Sequence, residues 1–329
     1  MYSINNDLKE KISRLNNMLV DKYRGVLSLE SCDLRNFIEK NVGPIIPISK
    51  LSKDQLLYYS QKGGIVGVDG SNNRMGGAYP HFVEVYQGLA KSTLYKDDPI
   101  FKTDIYTPLY SETKEDILEE DGRIEETEKN KRLSTIEVEV ALEGIKKFKP
   151  YAVLMDGGFI RYNIYSYEKW MELRQECEKR GILLVGVIKD IKTSIIGDKL
   201  REEDAFVKEC FYDRELLFGL LNYGEIIAIK DDATKKAKIG YSSIFMRSSL
   251  APSVIGMDIL DSQRDHIEEM AKLIFTLTPE NSRGVPLWLD MVDKEVKISD
   301  AMMRGLMERY MNRDVYERFF LSERDKRTL

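Results

Sequence analysis

Histidine and cysteine are scarce in this 329-residue chain, and that scarcity removes whole classes of chemistry. The two histidines, His81 and His266, lie far apart, which argues against a histidine-rich metal site and against a Ser-His-Asp triad. The three cysteines (Cys32, Cys177 and Cys210) are odd in number, widely spaced and form no CxxC pair. Neither a disulfide framework nor a cysteine zinc site is expected, and a reducing cytoplasm is the default compartment. No GxxxxGK(S/T) motif is present, against a P-loop ATPase. Nine prolines and 22 glycines are too few for a low-complexity or collagen-like chain, and 43% hydrophobic residues are too many for an intrinsically disordered one. The opening MYSINNDLKEKISRL has no basic patch followed by an apolar run, so no secretory signal is expected. Clean apolar stretches such as residues 182–188 fall far short of the roughly 20 residues a membrane helix needs. With 50 basic and 55 acidic residues the net charge is −5, which opposes a generic whole-surface nucleic-acid binder but leaves room for a local basic groove. Acid–base or metal chemistry must therefore lean on carboxylates, lysines and tyrosines.

Hydrophobic periodicity supplies the architecture. Leu8, Ile12, Leu15, Leu19 and Tyr23 recur at three- and four-residue steps, so residues 5–41 read as helical, with a short helix at 52–61. GGIVGVDGS (63–71) reads as a buried strand ending in an Asp-Gly turn. Residues 82–95 read as one bent strand or a pair, and 100–110 as another. The charge-dominated segment 111–131 reads as a solvated connection. A helix at 133–147, a strand at 151–158, an amphipathic helix at 167–180 and a strand at 181–190 form a βαβ signature, which implies a partly parallel sheet. Helices are expected at 213–222 and 262–277, strands at 225–230 and 241–247, and mixed helical periodicity at 299–321. There is no internal repeat and no Pro- or Ser-rich linker, so a single α/β domain with a helical N-terminal arm is the simplest description.

The residues that can carry chemistry are acids at strand ends. Asp69 ends IVGVD and Asp156 ends AVLMD, each before a glycine. A buried strand holds its last residue rigidly, and the glycine lets the backbone turn away, leaving the carboxylate at the sheet's carboxyl edge. Two such carboxylates on adjacent strands would repel unless a divalent cation neutralised them. Oxygen-rich sites suit Mg2+ or Mn2+, and two ions about 4 Å apart support in-line phosphodiester hydrolysis. Asp-Gly is also a common turn dipeptide, so two ordinary turns are the alternative. Glu137, with Glu139 nearby, lies on the helix ahead of Asp156, Glu137 bordering its inward face and Glu139 more to the flank. Lys189 and Asp190 end the next strand, and Asp290 and Asp293 are candidates for a late acidic ligand or for acids favoured near a helix start. GSNNRMGG (70–77) offers a phosphate-cradling loop or a plain surface turn. The clusters at 146–149 and 235–238, with Arg247, and the tyrosines Tyr162, Tyr165 and Tyr167 offer nucleic-acid contacts or ordinary surface and core packing.

In order along the chain, VDGS (68–71), a glutamate in IEVEVALE (136–143), LMDGG (154–158), GVIKD (186–190) and GVPLWLDMVD (284–293) resemble the NurA nuclease family. The resemblance implies an RNase H-like, PIWI-related α/β fold, a mixed sheet flanked by helices. It divides the chain into a helical N-terminal arm (1–61), a nuclease domain (62–298) and a C-terminal helical tail (299–329). It implies a cytoplasmic, homodimeric DNA exo- and endonuclease using Mn2+ or Mg2+, with two ions. Such enzymes work with a HerA-type hexameric DNA-translocating ATPase in DNA end resection and repair or in antiviral defence. Position by position, Asp69 and Asp156 resemble the family's metal-binding aspartates, Glu137 its helical glutamate with Glu139 as the alternative, and Lys189 its strand-end lysine. Asp293 stands where many members have histidine and others an acid. The implied metal ligands are Asp69, Glu137, Asp156 and Asp293, with Lys189 stabilising charge on the phosphate. The competing readings are a non-catalytic DNA-end-binding adaptor for such an ATPase, a different RNase H-like nuclease such as a resolvase, and a sugar-kinase-like phosphotransferase.

Overall fold

The apolar runs assemble into one nine-stranded sheet in the computed structural model, which describes residues 5–27, 31–110, 121–203 and 211–321. Its strands are β1 (Ile45–Pro47), β2 (Ile65–Gly76), β3 (Phe82–Ser92), β4 (Ile100–Tyr106), β5 (Ala152–Asp156), β6 (Leu183–Ile188), β7 (Glu225–Ala228), β8 (Tyr241–Met246) and β9 (Ile255–Leu260). They lie in the order β1-β7-β8-β9-β6-β5-β2-β3-β4. The three at the centre, β2, β5 and β6, are parallel, and every pairing outward from them is antiparallel. The βαβ signature thus marks the middle of a mixed sheet. β5 and β6 are apolar at nearly every position because both of their faces are covered.

Strand alternation splits the core in two. Val153, Met155 and Leu184 face one layer with Val138, Val140 and Ile145 of α4 (Asp121–Phe148) and Trp170 and Leu173 of α6 (Tyr167–Arg180), which follows the short α5 (Phe159–Tyr165). Ala152, Leu154, Val185 and Val187 face the other, with Met270, Leu273 and Ile274 of α9 (Ile267–Leu277) and Leu289 of α10 (Leu287–Val296). The N-terminal region gives α1 (Asn6–Leu27), α2 (Ser31–Asn41), β1 at the sheet's edge, and α3 (Lys53–Gln61) behind a Ser52 capping box. The α1 stripe read from periodicity is largely uncovered, with Leu8, Ile12 and Leu15 at 51%, 59% and 54% exposure. Near its end Tyr23 donates to Glu215 (2.8 Å). Among the described residues no helix is long and apolar enough to cross a membrane.

Several elements differ from their sequence reading. Residues 121–131 are the first turns of α4, so the charged segment is in part helical; residues 111–120, like Cys210, lie outside the described residues. Residues 82–95 form one strand, β3, ending at Ser92. The helix expected at 213–222 is the short α8 (Asp213–Leu216) followed by turns. α5, α7 (Ile195–Glu203) and β9 are further elements that the sequence reading does not include. The most consequential difference is in β2. The strand does not stop at Asp69 but runs on to Gly76, paired with β3 throughout. GSNNRMGG is therefore mostly strand and not a loop, and the N–H groups on its β3 side are taken up by the ladder.

Gly70 consequently has a different purpose. It pairs with Gly88 across the β2–β3 ladder, and the two leave a notch beneath α4. A Cβ on Gly70 would lie 2.6 Å from Glu137 Oε1 and 2.7 Å from its Cγ, and one on Gly88 would lie 3.0 Å from the Ile136 carbonyl oxygen. Glycine in a strand interior here marks close approach of another backbone. An unobstructed strand glycine replaced by alanine gains about 0.4–1 kcal/mol through the unfolded state. At Gly88 the sign should reverse: Gly88→Ala is expected to lose roughly 1 kcal/mol or more by overpacking. A urea midpoint at or above that of the wild type would show the notch is not needed.

Candidate metal centre

Three of the acids read from the sequence meet at the carboxyl edge of the central strands. The parallel register pairs Val68 with Met155, so the next residues, Asp69 and Asp156, stand side by side. β5 stops after Asp156 because Gly157 turns away at φ +134°, its N–H donating to the carbonyls of Met155 and Val187 (3.0 and 2.9 Å). The third acid, Asp293, arrives on α10. That helix lies against β2 at Gly67, where a Cβ would meet Trp288 and Val292, and Trp288 Nε1 donates to the Lys91 carbonyl (3.0 Å). Gly67 and Asp69 share a face of β2, so the residue after Val292 is delivered to Asp69. One oxygen from each of Asp69, Asp156 and Asp293 lies within 4.8 Å of the others. Asp69 is buried at 7% exposure, whereas the Asp293 side chain is 47% exposed, so the cluster opens to solvent on the α10 side.

Lys189, at the end of β6, pairs with Asp156, and its Nζ lies 3.6 Å from Asp293 Oδ1. Burial works against its charge, but Asp156, Asp69 and Asp293 outweigh it and raise its pKa. Burial, reinforced by Asp156 and Glu137, pushes the Asp69 carboxyl up to about 9, against the opposing pull of Lys189 and the Gly70 N–H (2.8 Å). Lys189 thus faces three carboxylates, of which Asp293 at the open rim also pairs with Arg283 (3.7 Å), and the deficit of positive charge falls on the buried pair Asp69 and Asp156. The donor set is all carboxylate oxygen, the chemistry of a hard cation such as Mg2+ or Mn2+, and these residues could hold one.

Glu137 stands apart from the triad, on the α4 side of the sheet, fully buried at 1% exposure. Its Oε2 accepts from Tyr162 Oη (2.7 Å) and from Arg161, while its Oε1 has no hydrogen-bond partner. Burial raises its pKa against the pull of Arg161 and Tyr162. Glu139 faces outward, 3.6 Å from Lys102 and 3.7 Å from Lys169, so of the two glutamates Glu137 is the one turned toward the sheet.

Several of the remaining candidates are engaged elsewhere. Asp190 pairs with Arg214 (2.9 Å) and Asp290 with Arg283 (2.6 Å). Lys146 and Lys147 pair with Glu172 and Asp98, and Arg247 donates to the carbonyls of Leu221, Leu250 and Ala251. Tyr162 is core, stacked on Trp170. Sequence reasoning missed Arg161 and Asp258. Asp258 on β9 is fully buried; its Oδ1 accepts from Lys236 (2.6 Å) and Ser243 (2.7 Å), and its Oδ2 from the Phe159 N–H (3.2 Å) at the start of α5. The signal for Asp258 was a lone acid inside the apolar run VIGMDIL. A cavity of about 650 Å³ between the far end of β2 and the helices from Asp300 onward is lined by none of these acids.

A NurA domain family model matches residues 63–298, and the chain belongs to the NurA domain family. Among solved structures, the NurA nuclease from Sulfolobus solfataricus is similar over 93% of this chain and 96% of that one, at 12% identity and TM-score 0.56, and so shares the fold. The Endonuclease V from Bacillus subtilis (14% identity, 84% of this chain and 90% of that one, TM-score 0.39) and Drosophila Piwi (10%, 71% and 29%, 0.36) are similar at a lower level. No curated protein matches the sequence.

The charge deficit yields a stability prediction for chelator-treated protein. An acid with a folded pKa near 9 costs stability at any pH above its unfolded value, and the cost grows until the folded pKa is passed. Asp69→Asn should therefore match the wild type near pH 4 and exceed it by about 1 kcal/mol at neutral pH. Unfolding curves across that range would show the gap; a less stable variant at neutral pH would contradict the repulsion.

Proposed function

We propose that this chain is a metal-dependent DNA nuclease, hydrolysing phosphodiester bonds at the corner formed by Asp69, Asp156 and Asp293. The observation that carries the reading is the convergence of these three carboxylates within 4.8 Å at the end of the central strands. Membership of the NurA domain family supports it. Asp69, Asp156 and Asp293 would hold Mn2+ or Mg2+, as one or two ions, with Glu137 completing the set. The bound cation would supply Lewis-acid activation of water and neutralise charge on the scissile phosphate. Asp69 and Asp156 are fixed by paired strands, so their carboxylates need little reorganisation. Lys189 is held among the same acids, with its ammonium placed to meet negative charge on a phosphate oxygen. Asp293, half exposed, sits on the side from which a polymer can approach.

The nuclease unit in this reading spans 62–298, flanked by the arm 1–61 and the tail 299–329. The protein acts in the cytoplasm as a homodimer with a HerA-type ATPase that feeds it DNA, in end processing for repair or in antiviral defence. The opposing reading, a DNA-end adaptor without chemistry, has no need of a metal.

Purified chain should cleave DNA with Mn2+ and not with chelator, when single-stranded DNA, duplex DNA, RNA and hybrid are compared with and without a candidate ATPase. Asp156→Ala should reduce the rate about 100-fold or more while leaving the circular dichroism spectrum unchanged. DNA-end binding with neither cleavage nor an Mn2+-dependent thermal shift would establish the adaptor instead. Preferential cleavage of RNA would overturn the substrate assignment.

A further inference from the structure

The half-satisfied carboxylate of Glu137 points beyond the ligand set itself. An Arg–carboxylate pair built only for stability commonly uses both oxygens in a fork. Here Arg161 and Tyr162 both converge on Oε2, and Oε1 is left buried without a donor. Leaving a buried charged acceptor unmade is expensive, on the order of 1–3 kcal/mol or more, and such an atom calls for a cation or donor the protein itself does not provide. Oε1 lies against Gly70, the residue after Asp69, in the notch where a side chain would close the space.

Resting on the function proposed above, we infer that Arg161 and Tyr162 are positioning residues: they hold Oε2 of Glu137 so that Oε1 is presented to the metal centre. Arg161 Nη2 is shared between Glu137, Tyr162 Oη (2.9 Å) and the Asp156 carbonyl (3.4 Å), so one guanidinium ties the helical acid to the end of the strand that carries Asp156. The Tyr162 hydroxyl accepts from Arg161 and donates to Glu137, and its ring is fixed by stacking on Trp170, whose Nε1 donates to Tyr241 Oη (2.7 Å). Both residues ride on α5, whose first N–H is held by Asp258. Asp258 in turn is held by Lys236 and Ser243 from the other half of the sheet. A continuous set of buried contacts thus runs from β8 and β9 through α5 to one oxygen of Glu137, and the free oxygen's place follows from it. Partners of this kind orient a ligand and typically matter 10–100-fold in metal affinity or activity.

The test uses the full chain and Mn2+ alone as the first probe. Titration calorimetry without DNA should show Tyr162→Phe, which removes a single hydroxyl, binding Mn2+ about tenfold more weakly than wild type. In cleavage assays its kcat should fall while KM for DNA stays within about twofold. Arg161→Met should lose more, and Arg161→Lys should recover part of the loss. Adding Tyr162→Phe to Glu137→Gln should cost nothing further, since the pair acts as a unit. Unchanged Mn2+ binding in both Tyr162→Phe and Arg161→Met, with only a lowered unfolding temperature, would make the contact purely structural and overturn the inference. A raised KM for DNA with unchanged Mn2+ binding would make Arg161 a substrate contact and overturn it as well. If the wild type itself fails to bind Mn2+ while Asp69→Ala is indistinguishable from it, the proposed function falls and this inference with it.

Discussion

Like charges held together away from water set the terms for this molecule. The central strands carry Asp69 and Asp156 side by side, a helix adds Asp293 from one face, and another buries Glu137 on the other. Such a set is tolerable only with compensating cations, and the chain supplies them on both faces: Lys189 among the three aspartates with Arg283 at the rim beside Asp293, and Arg161 against the glutamate. The compensation is incomplete, as the raised Asp69 carboxyl and the bare oxygen of Glu137 both register. A fold optimised for stability alone would have replaced these groups with apolar side chains of similar size. Incomplete compensation by an all-oxygen set of donors is compatible with a hard cation.

The rest of the architecture can be understood as the means of bringing those groups together. Parallel pairing of β2, β5 and β6 is what aligns Asp69, Asp156 and Lys189 at one edge, since antiparallel neighbours would have sent alternate ends to opposite sides of the sheet. α10, locked to β2 by Trp288 and Val292, delivers Asp293 to the face that Asp69 shares. Asp258 performs a structural task of a different kind. It satisfies the start of α5 beside the Asp156 turn, and its own charge is answered by Lys236, so a buried acid close to the cluster is kept out of it.

Much of this was legible in the sequence, although not always for the reason first given. Asp156 was found because its glycine does make the turn that periodicity and an Asp-Gly pair imply. Asp69 was found by the same pattern, yet its strand passes straight through, and the glycine beside it answers to α4 crossing overhead. A strand glycine that makes room and a glycine that turns the chain look alike in a sequence. Which of Glu137 and Glu139 faces the sheet depended on helix rotation, which periodicity indicated and packing shows. β9 escaped notice because an aspartate interrupts its apolar run, and α5 because its seven residues are too few to display a period. The early part of α4 was hidden by its own charges, which leave no apolar period to read. A long-range partner such as Arg161 left no local signature, while Lys236 sat in the basic cluster 235–238, whose composition does not disclose its pairing with Asp258.

The paired glycines beneath α4 bear on how this chain can vary. The depth at which a helix sits is ordinarily set by many side chains, each exchangeable for another of similar volume. At Gly70 and Gly88 it is set by residues that have no side chain to exchange. Every alternative adds at least one carbon, so neither position has a conservative replacement. The site's geometry is thereby made dependent on two residues with no reactive chemistry, and an inherited change at either one would shift an acid it does not resemble.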